Sequence, residues 1–220
     1  MDIVMIGAGG IGSYFLPLFL KIFKGAVEIW DHDTLETRNL DRQQFDPKLV
    51  GMNKAEALKL SQLPCFRDRI TTVDAWFTDH AVVNSPVDCI VACPDNHMAR
   101  KAAMVVAEDR RLPAVIGANG TFDSMAYVFL PDYRGTKVDP RVRYPDILTN
   151  KEGSPLTSCT GEAQEATPQL AFANHRAANQ MIQLLFTLSE IEENEALPIE
   201  LSTSRYENSY LSLEQAFART

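Results

Sequence analysis

Cysteine is scarce in this chain. Four of its 220 residues are cysteine, Cys65, Cys89, Cys93 and Cys159, and no two of them stand in the C-x-x-C spacing from which zinc ribbons are built. So few thiols do not make a disulfide framework, and reduced cysteines in a cytoplasmic protein are expected. Long apolar runs are also missing. The most apolar stretch, residues 11 to 23, falls short of the ~20 residues a membrane-spanning helix needs. The acidic Asp2 and the glycines ahead of that stretch do not fit a secretory leader. Positive charge is in deficit: 21 Lys and Arg against 29 Asp and Glu leave a formal net charge of −8. That balance opposes a nucleic-acid role, since phosphate backbones select basic surfaces, and reads as a solvated acidic surface. Internal repeats and low-complexity tracts are absent.

Apolar residues, by contrast, make up 45% of the chain, enough for a sizeable core. Strand-length apolar runs at Asp2 to Ile6, Ala26 to Trp30, Ile70 to Val73, Val87 to Cys93 and Ala114 to Gly117 alternate with helical patterns near 11 to 23, 50 to 63 and 95 to 109. This alternation predicts an α/β fold whose parallel sheet carries helices on both faces. Pro17 conflicts with the first helix and is expected to kink it. Asp123 to Leu130 reads as another strand, and 131 to 161 as a long crossing loop without periodicity. From Thr167 to about Ile191 helical spacing returns, with Thr167-Pro168 as cap and first position. The tail, 191 to 220, alternates as a short strand pair packed on the domain formed by 1 to 190.

The chemistry starts at Val4-Met5-Ile6-Gly7-Ala8-Gly9-Gly10-Ile11-Gly12. Gly7 lets the chain turn off a strand, Gly9 and Gly10 let backbone approach a phosphate, and Gly12 permits close helix packing, so a helix N-terminus faces the anion. Asp31 follows the second strand at about the ~20-residue separation of a ribose-binding carboxylate. That much suits an NAD(P)-dependent oxidoreductase. Asn39, Arg42, Gln43 and Lys54, however, supply more donors than one pyrophosphate requires, and Arg38 is an additional cation. Extra donors point to a triphosphate with Mg²⁺, which takes oxygen ligands. Asp95, at the end of the strand in Val87–Asn96, is the candidate metal and reaction-centre residue, because open α/β sheets bind ligands outside the carboxyl ends of their strands; a helix N-cap is the rival role.

These blocks resemble the ThiF/MoeB-type adenylating enzymes and the adenylation domains of ubiquitin-activating enzymes. The resemblance runs from Asp2 to about Leu188. It rests on GAGGIGS, Asp31-His32-Asp33 with Asn39-Leu40-Asp41-Arg42-Gln43, Val50-Gly51-Met52-Asn53-Lys54, and Cys93-Pro94-Asp95-Asn96 with Arg100. The strand Leu112–Ala118 and Ser158-Cys159-Thr160-Gly161 ahead of a long helix complete it. It implies a Rossmann-like sheet, parallel in its N-terminal half, continued by antiparallel strands and a long C-terminal helix. The activity implied is ATP-dependent adenylation of the C-terminal glycine of a ubiquitin-like or sulfur-carrier protein ending in Gly-Gly. It implies that Gly7, Gly9, Gly10, Gly12, Asp31, Asp33, Asn39, Arg42, Gln43 and Lys54 hold the nucleotide. Arg42, Lys54 and Asp95 would act in catalysis, Asp95 with Mg²⁺, in a homodimer.

Two departures stand out. Many relatives carry two C-x-x-C pairs that bind zinc; none occurs here, and no zinc is predicted. Dimers of the family often borrow an arginine from an N-terminal segment of the neighbouring subunit, whereas this chain opens on its first strand. Cys159 lies in a polar loop; the resemblance implies that a cysteine at this position can attack the activated carrier or hold sulfur, and the residues leave that role open against an inert one. Cys89 and Cys93 read as core, and His32 as a residue of the nucleotide cleft. Arg134, Arg141, Arg143 and Tyr144 give the crossing loop a basic, aromatic character suited to a partner's C-terminal tail. Besides the oxidoreductase, a non-catalytic nucleotide-binding or partner-recruiting module remains an alternative.

Overall fold

A computed structural model describes residues 1–83, 86–149, 170–190, 198–203 and 208–212. In chain order the elements are β1 (Ile3–Ile6), α1 (Gly10–Ile22), β2 (Val27–Trp30), α2 (Lys54–Leu60), α3 (Pro64–Arg67), β3 (Ile70–Val73), β4 (Cys89–Ala92) and α4 (His97–Arg110). They are followed by β5 (Ala114–Asn119), β6 (Ser124–Phe129), α5 (Pro140–Arg143), α6 (Asp146–Thr149), α7 (Ala171–Glu190), β7 (Pro198–Thr203) and β8 (Asn208–Ser212). The strands form one mixed sheet in the order β3-β2-β1-β4-β5-β6-β7-β8. The first five are parallel, and β6, β7 and β8 continue antiparallel.

Side-chain alternation explains the layers. Ile3 and Met5 of β1, Cys89 and Val91 of β4, Val115 of β5 and Val128 of β6 face a core shared with α1, α2 and α7. Val4, Ile6, Ile90, Ala92, Ile116 and Phe129 face the opposite core, which α4 covers through Ala103, Met104 and Ala107. Cys89 and Cys93 are buried as expected, and burial pushes the Cys89 thiol up to about 12. Helix α1 continues through Pro17. Burial of Phe15, Leu16, Phe19 and Leu20 on the sheet holds it where propensity alone would break it.

Two residues set the first turn. Gly7 has φ of +89°, a left-handed backbone that a side chain strains. Gly12 lies so close to β1 that an added methyl would overlap the Gly7 carbonyl oxygen and reach within 2.7 Å of the Met5 methyl.

The described part of the crossing segment is more ordered than its lack of periodicity suggests. Residues 131–149 contain a 3₁₀ turn at Pro131–Tyr133 and the one-turn helices α5 and α6. Elements of three or four residues are too short to show a 3.6-residue repeat. Their signals are local ones, Pro131 and Pro140 at first helical positions and the Asp139 side chain accepting from the Arg141 amide at 2.9 Å. The tail pair forms as β7 and β8, joined to the sheet edge through β6. Thr167-Pro168 lies outside the described residues.

Candidate active site

A cavity of about 340 Å³ opens at the C-terminal ends of β1 to β5. This is the size of a small-molecule site, at the switch point where β1 is flanked by β2 on one side and β4 on the other. One wall is the start of α1. Its cap, Gly9, contributes no side-chain hydrogen bond and no acidic residue stands in its first turn. The first-turn amides and the helix dipole are therefore left for an anion.

Asp31, at the end of β2, accepts the Ala8 amide at 2.7 Å and the Asp33 amide at 2.8 Å. Burial raises its carboxyl above the ordinary carboxylate value, those two amides working against the rise. It thus fixes the glycine turn from the neighbouring strand. Asp33 faces two nitrogen groups: Lys54 Nζ lies 2.7 Å from one oxygen and His32 Nε2 3.0 Å from the other. Lys54 is nearly buried and lines the cavity. Asn53 sets its position. The Asn53 side chain accepts the Ala55 and Glu56 amides at the head of α2, and donates to the Asp31 carbonyl at 2.8 Å and to Asp74 at 2.9 Å.

Arg42 and Gln43 border the same cavity. Arg42 Nη1 donates to Asp41 at 2.9 Å and to the Arg38 carbonyl at 3.0 Å. Gln43 Oε1 is buried and has no hydrogen-bond partner among the described residues. Asn39 is not part of the lining: it is buried, and its side chain accepts the Glu36 amide at 2.9 Å in a capping box. Arg38 is exposed and pairs with Glu36. Gly12 serves the packing of α1 and lies outside the lining.

Asp95 stands exposed on the opposite rim. The N-cap of α4 is its neighbour Asn96, which accepts the Ala99 amide at 2.9 Å, so the Asp95 carboxylate is not consumed by capping. Arg100, almost fully buried, braces this corner by donating to the Pro94 carbonyl at 3.2 Å. Among the described residues the one grouping of potential metal ligands is Asp31, His32 and Asp33. Their oxygens are already engaged by amides and by Lys54. A Mg²⁺ ion would find in Asp95 a cavity-lining residue whose carboxylate forms no ion pair among the described residues and takes only the Asn96 side-chain amide at 3.5 Å. Cys159 lies outside the described residues.

A model of the ThiF family matches residues 1–210. The chain belongs to the ThiF family. Ubiquitin-like modifier-activating enzyme 5 of Drosophila ananassae is 28% identical over 125 residues, half of this chain and 32% of that protein. The Arabidopsis thaliana enzyme of the same name is 30% identical over 129 residues, again half of this chain and 30% of its own length. The chain therefore spans about a third of the length of the curated relatives it matches. Among solved structures, E. coli MccB with AMPCPP and MccA superposes with a TM-score of 0.69 at 19% identity, covering 96% of this chain and 62% of that one. PaaA superposes at 0.67 with 16% identity, over 98% of this chain and 73% of that one. At these identities the two structures speak for the fold.

The ThiF motifs do not cover everything the cavity holds. Trp30, Trp76 and Phe77 line it, as does Asn119 at the end of β5. Asn119 donates to Asn174 of α7 at 2.5 Å, and Asn174 donates to the Arg42 carbonyl at 3.1 Å. Fully buried Asn174 thus ties the long helix to the loop that carries Arg42. Position was the available signal for Trp76, a large aromatic just past a strand's C-terminal end, where open α/β sheets bind ligands.

The arginines of the crossing segment have a different fate from the one expected. Arg134 pairs with Glu108. Arg141 is held by Glu108 and Asp139, each at 2.8 Å, and Arg143 by Glu200 at 2.8 Å. Tyr144 donates to Glu200 at 2.5 Å. The basic character of this segment is neutralised within the ThiF domain, by Asp139 of the segment itself and by Glu108 of α4 and Glu200 of β7, which are far away in sequence.

Proposed function

We propose that this chain is an ATP-dependent adenylating enzyme acting on the C-terminal carboxylate of a ubiquitin-like or sulfur-carrier protein, or of a peptide. The observation that carries this reading is one cavity bordered by the uncapped start of α1, Lys54 and Arg42 on one side and Asp95 on the other. It is supported by the names of the relatives, which activate ubiquitin-like modifiers, and by MccB having been solved with ATP.

In this reading the α1 amides, Arg42 and Lys54 hold the phosphates, and Asp31 meets the ribose hydroxyls. Gln43 offers its unpartnered Oε1, and Asp33 receives Lys54 when the nucleotide is absent. The partner's carboxylate oxygen attacks the α-phosphorus as the bond to the β-phosphate breaks, giving an acyl adenylate and pyrophosphate. The protein's share is positioning and charge stabilisation. Mg²⁺ bound at Asp95 would supply neutralising charge to the phosphate oxygens. Cys159 is proposed as the thiol that receives the activated acyl group, with AMP leaving. A homodimer, a Gly-Gly terminus on the partner, a cytoplasmic location and the absence of zinc complete the proposal.

Calorimetric titration with Mg-ATP and with NADH tests it. Mg-ATP is expected to bind, with binding strongly weakened in Lys54→Ala and Asp95→Ala. NADH binding without an ATP response would overturn the reading in favour of an oxidoreductase. ATP binding that never yields pyrophosphate with any carboxy-terminal partner would make the chain a recruiting module.

A further inference from the structure

The chain contains two tryptophans, and both line the cavity. They are held in opposite ways. Trp30 is a wall: its indole N–H donates to Glu28 at 2.7 Å, and its ring meets Phe77 edge-on at 5.3 Å. Trp76 is 60% exposed. Its indole is stacked on His32 at 3.4 Å between ring centroids with the planes 21° apart. One face of the indole is covered and the rest stands open at the mouth of the cavity.

His32 does not lie there loosely. Its Nε2 is 3.0 Å from Asp33, whose other oxygen is 2.7 Å from Lys54. A continuous chain of contacts thus runs from the cationic end of the cavity to its aromatic end. Sheet order gives that chain a direction. Going outward from the centre, β1 delivers the glycine turn, β2 delivers Asp31 and β3 leads into Ala75, Trp76 and Phe77. A nucleotide with its phosphates on α1 and its ribose at Asp31 therefore carries its base toward Trp76.

We propose that Trp76, oriented by His32, is the platform on which the nucleobase stacks. This rests on the nucleotide reading above and adds to it the residue that binds the base. A stacking surface accepts any base through its π-face and favours the larger purines. It adds affinity for the nucleoside part and none for the phosphates.

That division gives the test. In Trp30→Phe protein, Trp76 is the sole tryptophan, and Mg-ATP is expected to quench its emission with the dissociation constant that calorimetry gives. Trp76→Phe, which retains Trp30, should lose most of the quench seen in the parent protein. Trp76→Ala should weaken Mg-ATP about tenfold, the ordinary size of one base–aromatic stack, and leave inorganic tripolyphosphate binding unchanged. Trp76→Phe should recover most of that affinity, and Mg-UTP should bind the parent protein less tightly than Mg-ATP. ATP binding without quenching, or equal losses for ATP and tripolyphosphate in Trp76→Ala, would overturn the proposal while leaving the nucleotide reading intact. A parent protein that binds tripolyphosphate but gains nothing from the nucleoside would also overturn it. Failure of the parent protein to bind either probe would overturn both.

Discussion

Two acid–base clusters occupy the two halves of this molecule and are built differently. At the cavity, Asp33 holds Lys54 through one contact of 2.7 Å, and the Asp33 side chain is 49% exposed. In the second half, Asp139 is 2% exposed and receives Arg141 Nε at 3.0 Å and Nη2 at 2.8 Å, plus the Gly135 and Arg141 amides. Arg141 spends its remaining terminal nitrogen on Glu108 at 2.8 Å and lies over the Phe129 ring. An ammonium is a point charge on a flexible stem and exchanges one carboxylate for another anion readily, whereas a guanidinium locked in a fork does not. Charge in the first half is available to a ligand. In the second half it is consumed in fastening 131–149 to α4.

The sharpest way to break this contrast is Lys54→Ala. Adenylate formation in single-turnover assays should fall by about 10²- to 10³-fold, the size seen when one charge-stabilising donor is removed. The melting temperature should barely move, because Asp33 remains solvated. A collapse in melting temperature would show that Lys54 is structural too. Asp139→Ala should do the reverse. Removing one partner of this buried cluster is expected to cost about 3 kcal/mol, lowering the melting temperature by roughly 6–12 °C in a chain of this size. Mg-ATP affinity of the folded protein should persist.

A smaller effect concerns pH. Burial alone would raise the Asp139 carboxyl, but Arg141 and the two amides outweigh it and hold the group below the ordinary carboxylate value. The folded state therefore releases this proton more readily than the unfolded state, and stability from the pair is full above the unfolded value of about 3.9 and lost as pH falls through the folded one. Urea unfolding should show a gap between the parent protein and Asp139→Asn that is constant from neutral pH to about pH 5 and closes below about pH 4. Asp31, raised by burial, carries the opposite sign: its contribution favours folding at low pH and is lost as pH rises through its folded value. Smallest of all, Asn53→Ala should cost about 1 kcal/mol through the lost cap of α2. Its mark is a severalfold weaker Mg-ATP affinity, since Lys54 is the next residue.

Much of the layout could be read from residue patterns. The alternation of apolar runs places β1 to β6 within a few residues of their observed bounds, because each strand is set by its own local pattern. Glycine at position 7 could be read as well, since a left-handed turn there admits little else. The candidate residues Gly9, Gly10, Asp31, Asp33, Arg42, Gln43, Lys54 and Asp95 come together around one cavity although up to 86 positions separate them. Asn39 shows where this reading stops. Its spacing matches a binding motif, yet its side chain closes a 3₁₀ turn, which no periodicity reveals. The arginines at 134, 141 and 143 show the same limit: composition reads the segment as basic, and besides the local Asp139 the acids that neutralise it arrive from residues 108 and 200.

Local order thus follows from this amino-acid chain directly: which runs extend, which coil, where the backbone must turn and which polar residues stand at strand ends. Those properties depend on neighbours a few positions away. The pairing of Lys54 with Asp33, the reach of Arg141 to Glu108 of α4, the tie from Asn174 to the Arg42 loop and the stacking of Trp76 on His32 arise at another level. Each needs elements made adjacent by the strand order β3-β2-β1-β4-β5 and by the return of α7 across the sheet. Contact energies between distant residues exist once that order is in place, which is why the free and the committed charges of this protein look alike until the chain is folded.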